Sequence, residues 1–352
     1  MNRNFLLVLP LFLLSIPALH AQPGSLAATE ARLHALATDV LNHDSLSYKI
    51  EQNKQFANIL IDVLQRPESF NYPFDSLKTV SVLEAEDRSF RIFTWHIVDK
   101  NKDEYYGEQY HYFFGVVQRK YQNPQGKTEY LVIPLVEMQQ LPRDVENRIF
   151  DNNQWVGALY YPLKNKKYLP KYKMKYDMGG KKEKGDFYLL LGWNGNDNRS
   201  NYKMVETISF DPKDKNRVIF GANVFYFDAL PKARALFKYS DYAPFTLNFS
   251  YTKSGPGKWF KKEMIVYDHL ADPFARGGNK PEEIWSMGPD GSYDALSYYK
   301  RGGYFEWYRN VELAEKFNNK VTQKYVQELQ ARELEKLKAA GIDGTTSNRP
   351  GN

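Results

Sequence analysis

Residues 171–197 read KYKMKYDMGGKKEKGDFYLLLGWNGND. A ladder of alternating lysines leads into a glycine–lysine turn, a very apolar strand, and a loop of Asn, Gly and Asp. In Lys171-Tyr172-Lys173-Met174-Lys175-Tyr176 the alternation is strict. In an extended chain this places lysine on one face and Tyr, Met, Tyr on the other. Between Lys164 and Asp186 stand nine lysines and three acids, Asp177, Glu183 and Asp186. The lysine face cannot be buried unpaired, because desolvating an ammonium costs far more than the roughly 1.5–3 kcal/mol gained per buried apolar side chain. It therefore meets solvent or an anion. The plainer reading is an edge strand guarded against aggregation by lysine. The functional reading makes Lys171, Lys173 and Lys175 a surface for an acidic glycan, lipopolysaccharide or a phospholipid surface.

From about residue 79 onward the apolar pattern has a period of two. It predicts strands at 79–86, 89–98, 110–119, 128–137, 155–163, 186–193, 202–210, 217–225, 234–239, 245–252, 259–268, 292–300 and 303–310. Asn123-Pro124-Gln125-Gly126, Asp211-Pro212 and Ser254-Gly255-Pro256-Gly257 supply turn chemistry between them, and Arg301-Gly302-Gly303 predicts a tight hairpin. Residues 139–153 leave room for one short helix. The fold class is mainly β: a large antiparallel body over 79–310, sandwich or propeller-like, of about 13 strands.

Helical periodicity brackets this body. Leu33, Leu36, Ala37, Val40 and Leu41 share one face, as do Phe56, Ile59, Leu60, Val63 and Leu64. They predict an N-terminal helical pair within 22–70, its second helix stopping near Arg66 because Pro67 follows. Leu313, Phe317, Val321, Tyr325 and Leu329 predict a charged helix over 311–340, with residues 341–352 a disordered tail. Residues 1–21 have the layout of a secretory signal peptide: Arg3, an apolar run from Phe5 to Ile16, and Leu19-His20-Ala21 as cleavage site. That run is too short to span a bilayer, and no later segment is long enough. The expected address is therefore outside the cytoplasm, in the periplasm, at the outer membrane or beyond.

The chain has no cysteine. This excludes disulfides, thiolate metal sites and a cysteine nucleophile, so the fold depends on its hydrophobic core, to which 22 Phe, 26 Tyr and 6 Trp contribute. A net charge of +6 is mild for 352 residues and gives no argument for nucleic acid.

FYLLLGWNGND (187–197), VETISFD (205–211), VIFGANVF (218–225) and IVYDHL (265–270), with SFRIFTW, YHYFFGVVQRK and GPDGSYDAL, carry a resemblance. Over residues 80 to 312 the chain resembles a family of uncharacterised secreted proteins of Bacteroidota-type bacteria. The resemblance implies an exported, β-rich body and brings no activity or catalytic residues with it.

Three further places hold candidate chemistry. Trp193-Asn194-Gly195-Asn196-Asp197 contains the strongest two-residue hairpin signal, Asn-Gly. Besides a structural turn, Trp193, Asn194, Asn196 and Asp197 have the grouping of a sugar site, a ring face beside amide and carboxylate oxygens. The acidic spacing of an EF-hand calcium loop is lacking. Asp268-His269 suggests acid/base work, but neighbours on a strand point to opposite faces, and a satisfied strand-end histidine is the plainer reading. Asp290 and Asp294, in a Pro-Asp-Gly turn segment, with Asp268 supply carboxylates of the kind glycoside hydrolysis uses. His96 and His111 lie on neighbouring strands and meet only if the register allows. H-E-x-x-H, G-x-S-x-G, Walker and dinucleotide motifs are absent from the sequence.

The first expectation is thus an exported, non-enzymatic binding or scaffold protein of the bacterial envelope, without cofactor or metal. Its contact surface is Lys171, Lys173, Lys175 and the Trp193 loop, and its partner a glycan, lipopolysaccharide or envelope protein. The alternative is a secreted carbohydrate-active hydrolase using Asp268, Asp290 and Asp294.

Overall fold

The computed structural model describes residues 24–99, 111–164, 166–178, 181–197, 200–227, 230–254, 260–271 and 287–314. The expected leader, the body of the expected C-terminal helix and the tail lie outside the described residues.

Two helices open the chain, α1 (Leu26–Asn42) and α2 (Leu46–Leu64). Ser25 and Ser45 cap them, their hydroxyls accepting from the backbone N–H of Ala28 and Tyr48. Gln65 ends α2, and Pro67 starts a short 3-10 turn, Pro67–Asn71. Strands follow in the order β1 (Ser81–Glu84), β2 (Phe90–Val98), β3 (His111–Gln122), β4 (Thr128–Leu135), β5 (Phe150–Asp151), β6 (Leu159–Tyr160), β7 (Lys171–Met178), β8 (Lys181–Asn194), β9 (Ser200–Phe210), β10 (Val218–Phe220), β11 (Phe225–Tyr226), β12 (Pro231–Lys232), β13 (Ala235–Ser240), β14 (Leu247–Ser254), β15 (Phe260–Ala271), β16 (Gly288–Tyr299) and β17 (Tyr304–Tyr308). The protein is mainly β, as expected.

The strands make three sheets. The first is four-stranded, β1-β2-β3-β4. The second is seven-stranded, β5-β10-β9-β8-β6, with β13 also on β9 and β7 also on β8. The third is six-stranded, β12-β11-β17-β16-β15-β14. All named pairings are antiparallel except the short β11–β17 contact.

The sheets stack. Phe90, Ile92, Phe113, Val117 and Ile133 of the first sheet meet Tyr188, Leu190, Met204, Ile208 and Phe220 of the second in one core. Phe187, Leu189, Leu191 and Val205 leave the other face of the second sheet and meet Phe249, Ile265, Leu296 and Phe305 of the third. Leu33, Phe56, Leu60 and Val63 of the helices cover the outer face of the first sheet at Phe93, Trp95 and Val116. The result is four layers, helices and three sheets. The arrangement is a sandwich extended by one sheet, and the strands among the described residues form neither radial blades nor a closed barrel.

Glycine decides two departures from the expected strands. The single strand expected over 217–225 is broken at Gly221, whose φ is +89°; β10 belongs to the second sheet and β11 to the third, so the chain changes layer there. The strand expected over 155–163 is reduced to Leu159–Tyr160, because Gly157 (φ +81°) turns the chain beside Glu137. The short helix expected in 139–153 is a single 3-10 turn, Val145–Asn147. Residues 311–314, where the C-terminal helix was expected to start, instead run extended along the third sheet, Leu313 bridging Thr252.

Between the first two sheets lies a buried ion pair. Glu206 and Arg234 are both 0% exposed, and Arg234 Nε donates to Glu206 Oε2 at 3.1 Å. Tyr160 donates to Glu206 Oε1, and Trp155 Nε1 donates to the Tyr160 oxygen at 2.8 Å. The remaining Arg234 hydrogens reach the carbonyls of Val145, Arg148 and Phe220. Removing one partner of such a pair strands the other charge in the core. Arg234→Met is therefore expected to lose about 3–5 kcal/mol in urea unfolding, with Glu206→Leu/Arg234→Met recovering part of the loss. Equal midpoints for wild type and Arg234→Met would refute this role.

Candidate functional site

The first candidate is a groove of about 850 Å³ on the helix side of the first sheet. Its floor is Arg91 on β2, opposite Glu84 of β1. Arg91 is only 4% exposed. Its Nε and Nη2 donate to Gln118 Oε1 (3.2 and 2.7 Å), Nη2 also to the Ser69 carbonyl (2.7 Å), and Nη1 to the Tyr72 carbonyl (2.6 Å). The rings of Phe70, Phe74 and Phe93 surround it, with centroids 5.1–5.6 Å from Cζ. All these acceptors are neutral. Burial lowers the Arg91 pKa to about 10, against the pull of Glu84.

Lys78, Arg88 and Lys167, all exposed, stand on the rim with Asp75, so the groove has four cations against two carboxylates. One wall is the loop Tyr72–Leu77, in which Phe74 adopts a φ of 55°. Glu30 of α1 holds that loop in place, accepting from Tyr72 Oη and Ser76 N at 2.6 Å each.

The second candidate is an apolar cavity of about 330 Å³ where the helices meet the end of β2. Ala37, Val40, Phe56, Val80, Trp95 and Ile97 line it. Lys49, Asn53, Lys78, Thr79 and His96 are its polar wall residues; Asn53 Oδ1 accepts from Trp95 Nε1 at 2.7 Å, and Lys49 Nζ donates to the Val98 carbonyl at 2.8 Å. Lys78 and Val80 line both the cavity and the groove.

The Trp193 loop is a turn whose polar groups serve the backbone. Asn194 Nδ2 donates to the Gly157 carbonyl (2.8 Å), and its Oδ1 accepts from Asn196 N (2.7 Å). Asn196 Nδ2 donates to Asp197 Oδ2 and Ser200 Oγ (2.8 Å each), and Asp197 Oδ1 accepts from Ser200 N (2.7 Å) and Oγ (2.8 Å). A Cβ at Gly195 would lie 2.2 Å from the His111 ring, so the Asn-Gly signal here records close packing as well as a turn. Trp193 stands edge-on to His96, His111 and Phe113 at centroid distances of 5.7, 5.1 and 6.2 Å. The register allows the two histidines to meet: His96 pairs with Phe113 and Val98 with His111, which leaves the two rings 5.2 Å apart. No group of three or more metal-ligating side chains is assembled among the described residues.

The lysine ladder is edge strand β7, paired with β8 alone. Tyr172 and Met174 turn into the core, as the alternation predicts. Lys171 bridges two layers, its ammonium 2.9 Å from both Asp87, in the β1–β2 turn, and Asp186. Lys173 is 3.4 Å from Asp186. Burial works against the charge of Asp87, yet hydrogen bonds from Ser89, Tyr188 and Lys171 bring its pKa down to about 2. The side chain of Lys175 lies outside the described residues. Lys171 pairs with Tyr188 and Lys173 with Asp186, while Trp193 lies at the far end of β8, so the ladder and the Trp193 loop do not form one patch.

Asp268, Asp290 and Asp294 gather around a bulge in the β15–β16 pair. Each is committed locally. Asp268 accepts from Thr246 N (2.5 Å) and Oγ1 (2.6 Å), and burial raises its pKa. Asp290 accepts from Ser292 N and Oγ, which lower its pKa. Asp294 accepts from Trp307 Nε1 (3.2 Å) and Asn310 N (3.1 Å), and its Oδ2 lies 3.1 Å from His269 Nδ1. Asp268 and His269 thus turn to different neighbours. None of these residues borders the groove or the cavity.

The groove was not read from the sequence. Its one signal is Arg91 itself, a charge inside the otherwise apolar SFRIFTW strand. Comparison with protein-family models, curated proteins and solved structures gives no match, so the chemistry of the site rests on this geometry alone.

The histidine pair makes a prediction of its own. Burial, and secondarily His96, lowers the His111 pKa from 6.5 to about 4; burial also lowers His96. The unfolded chain takes up this proton near pH 6.5 and the folded chain only near pH 4, so stability is present above 6.5 and lost as the pH falls toward 4. The expected loss from this group is on the order of 1–3 kcal/mol. Denaturant unfolding at pH 7 and pH 4 should show a smaller difference in His111→Phe than in wild type; an equal difference would exclude His111 as the source.

Proposed function

We propose that this is a non-enzymatic binding protein of the bacterial envelope, exported there, whose basic groove receives an anionic group. The observation that carries the reading is Arg91, a guanidinium 4% exposed at the floor of an 850 Å³ groove and held only by neutral acceptors. A buried charge is costly unless an opposite charge completes it. Arg234 shows how this chain supplies such a partner, in Glu206; Arg91, whose hydrogen bonds all go to neutral acceptors, lines the groove. Lys78, Arg88 and Lys167 raise the local potential further, and a planar guanidinium suits the paired oxygens of phosphate or carboxylate.

Envelope glycans and lipid headgroups carry such groups. The reading of export rests on the leader pattern of residues 1–21. Lys171 and Lys173 are already paired with Asp87 and Asp186 and do not line the groove.

Lipopolysaccharide, which is rich in phosphate, is the test ligand. Binding of the immobilised lipid at low ionic strength, followed by surface plasmon resonance, should weaken at least about tenfold in Lys78→Glu/Arg88→Glu/Lys167→Glu, because each cation near an anionic surface contributes on the order of 1 kcal/mol. Lys171→Ala/Lys173→Ala should weaken it less. Unchanged binding in the groove variant, with its thermal midpoint preserved, would refute the groove as the anion site.

A further inference from the structure

We infer that the anion in the groove is the headgroup of an amphiphile whose single alkyl chain lies in the neighbouring apolar cavity; the inference rests on the anion-binding reading above. The two spaces adjoin, since Lys78 and Val80 border both. Their chemistry is divided as an amphiphile's is. The groove gathers Arg91, Lys78, Arg88 and Lys167, whereas the cavity is walled by Val40, Phe56, Trp95 and Ile97. Two of the polar groups in the cavity wall are already held, Asn53 by Trp95 and Lys49 by the Val98 carbonyl; Lys78, Thr79 and His96 complete the polar part of the lining.

The cavity mouth is apolar as well. Leu41, near the end of α1, borders it and is 57% exposed. An alkyl chain against an apolar lining of this kind makes many dispersion contacts along its length. Its volume of about 330 Å³ is at the small end for ligand pockets and suits one chain better than two. Lys78, exposed at the junction, is placed to meet the anionic headgroup where the chain enters.

Calorimetric titration of the full chain tests this with three ligands, each below its critical micelle concentration: dodecyl phosphate, inorganic phosphate and the uncharged dodecyl maltoside. Dodecyl phosphate should bind at least about tenfold tighter than inorganic phosphate, a gain that burial of two methylenes supplies. It should also bind at least about tenfold tighter than dodecyl maltoside. Val40→Trp, which fills the cavity from its half-exposed wall, should bring dodecyl phosphate down to the level of inorganic phosphate and leave inorganic phosphate unaffected. Leu41→Asp, at the exposed mouth, should cause the same selective loss and serves should Val40→Trp fail to fold. Equal affinity for the two phosphates, or equal affinity for the two dodecyl ligands, overturns the amphiphile inference and leaves the anion site standing. Unaltered dodecyl phosphate binding in the cavity variants likewise overturns it. Failure of both phosphates to bind overturns the amphiphile and the anion site together.

Discussion

The second half of strand β8, Phe187 to Leu191, is apolar on both faces, and the architecture follows from that constraint. Leu189 and Leu190 are neighbours in the chain but belong to different cores, because successive side chains of a strand point to opposite sides of its sheet. A strand apolar in both sets needs a layer on either side. The first sheet covers one face of the second and the third sheet the other. Each cover then has an outer face of its own. The helical pair closes the first, and Val311 and Leu313 lie over Met264, Val266 and Ala295 of the third.

Layers this apolar tolerate charge only on strict terms, and the two most deeply buried arginines meet those terms differently. Arg234 has its carboxylate in Glu206 and its remaining donors on carbonyls, so the charge is satisfied within the fold. The pair also fixes register, since a shift of one residue in β9 would turn Glu206 to the opposite face. Arg91 has carbonyls, an amide and aromatic rings, with Glu84 acting only through its field. The first arrangement is complete without a ligand. The second leaves the guanidinium without a hydrogen-bonded carboxylate beside an accessible space whose lining carries four cations and two carboxylates, and this contrast is why the groove, rather than the buried ion pair, is the functional candidate.

Local patterns in the chain were legible where the physics is local. The α2 face, the Arg301-Gly302-Gly303 hairpin and the alternation of Tyr172 and Met174 against the lysines all follow from nearest-neighbour geometry, and the structure has them; the Asn194-Gly195 pair, a two-residue hairpin signal, instead opens a longer connection, since β8 ends at Asn194 and β9 begins at Ser200. The candidate sites were less legible. The oxygens of Asn194 and Asp197 offer the same chemistry to a sugar as to a turn, and only the folded loop shows them bonded to Asn196 and Ser200. Asp294 reads as a free carboxylate until Trp307 and the Asn310 backbone are brought to it. Lys171 reads as solvated until Asp87 arrives from another sheet.

By itself the sequence determined a cysteine-free, aromatic-rich β body behind two helices, because periodicity and turn chemistry act over a few residues. Only the tertiary structure decided that the sheets stack in three layers, that Gly221 passes the chain from one sheet to the next, and that a groove and a cavity meet at Lys78 and Val80. These features join residues far apart in the chain, from Ala37 to Lys167. Their proximity is set by register and layer packing, which no local stretch of sequence encodes.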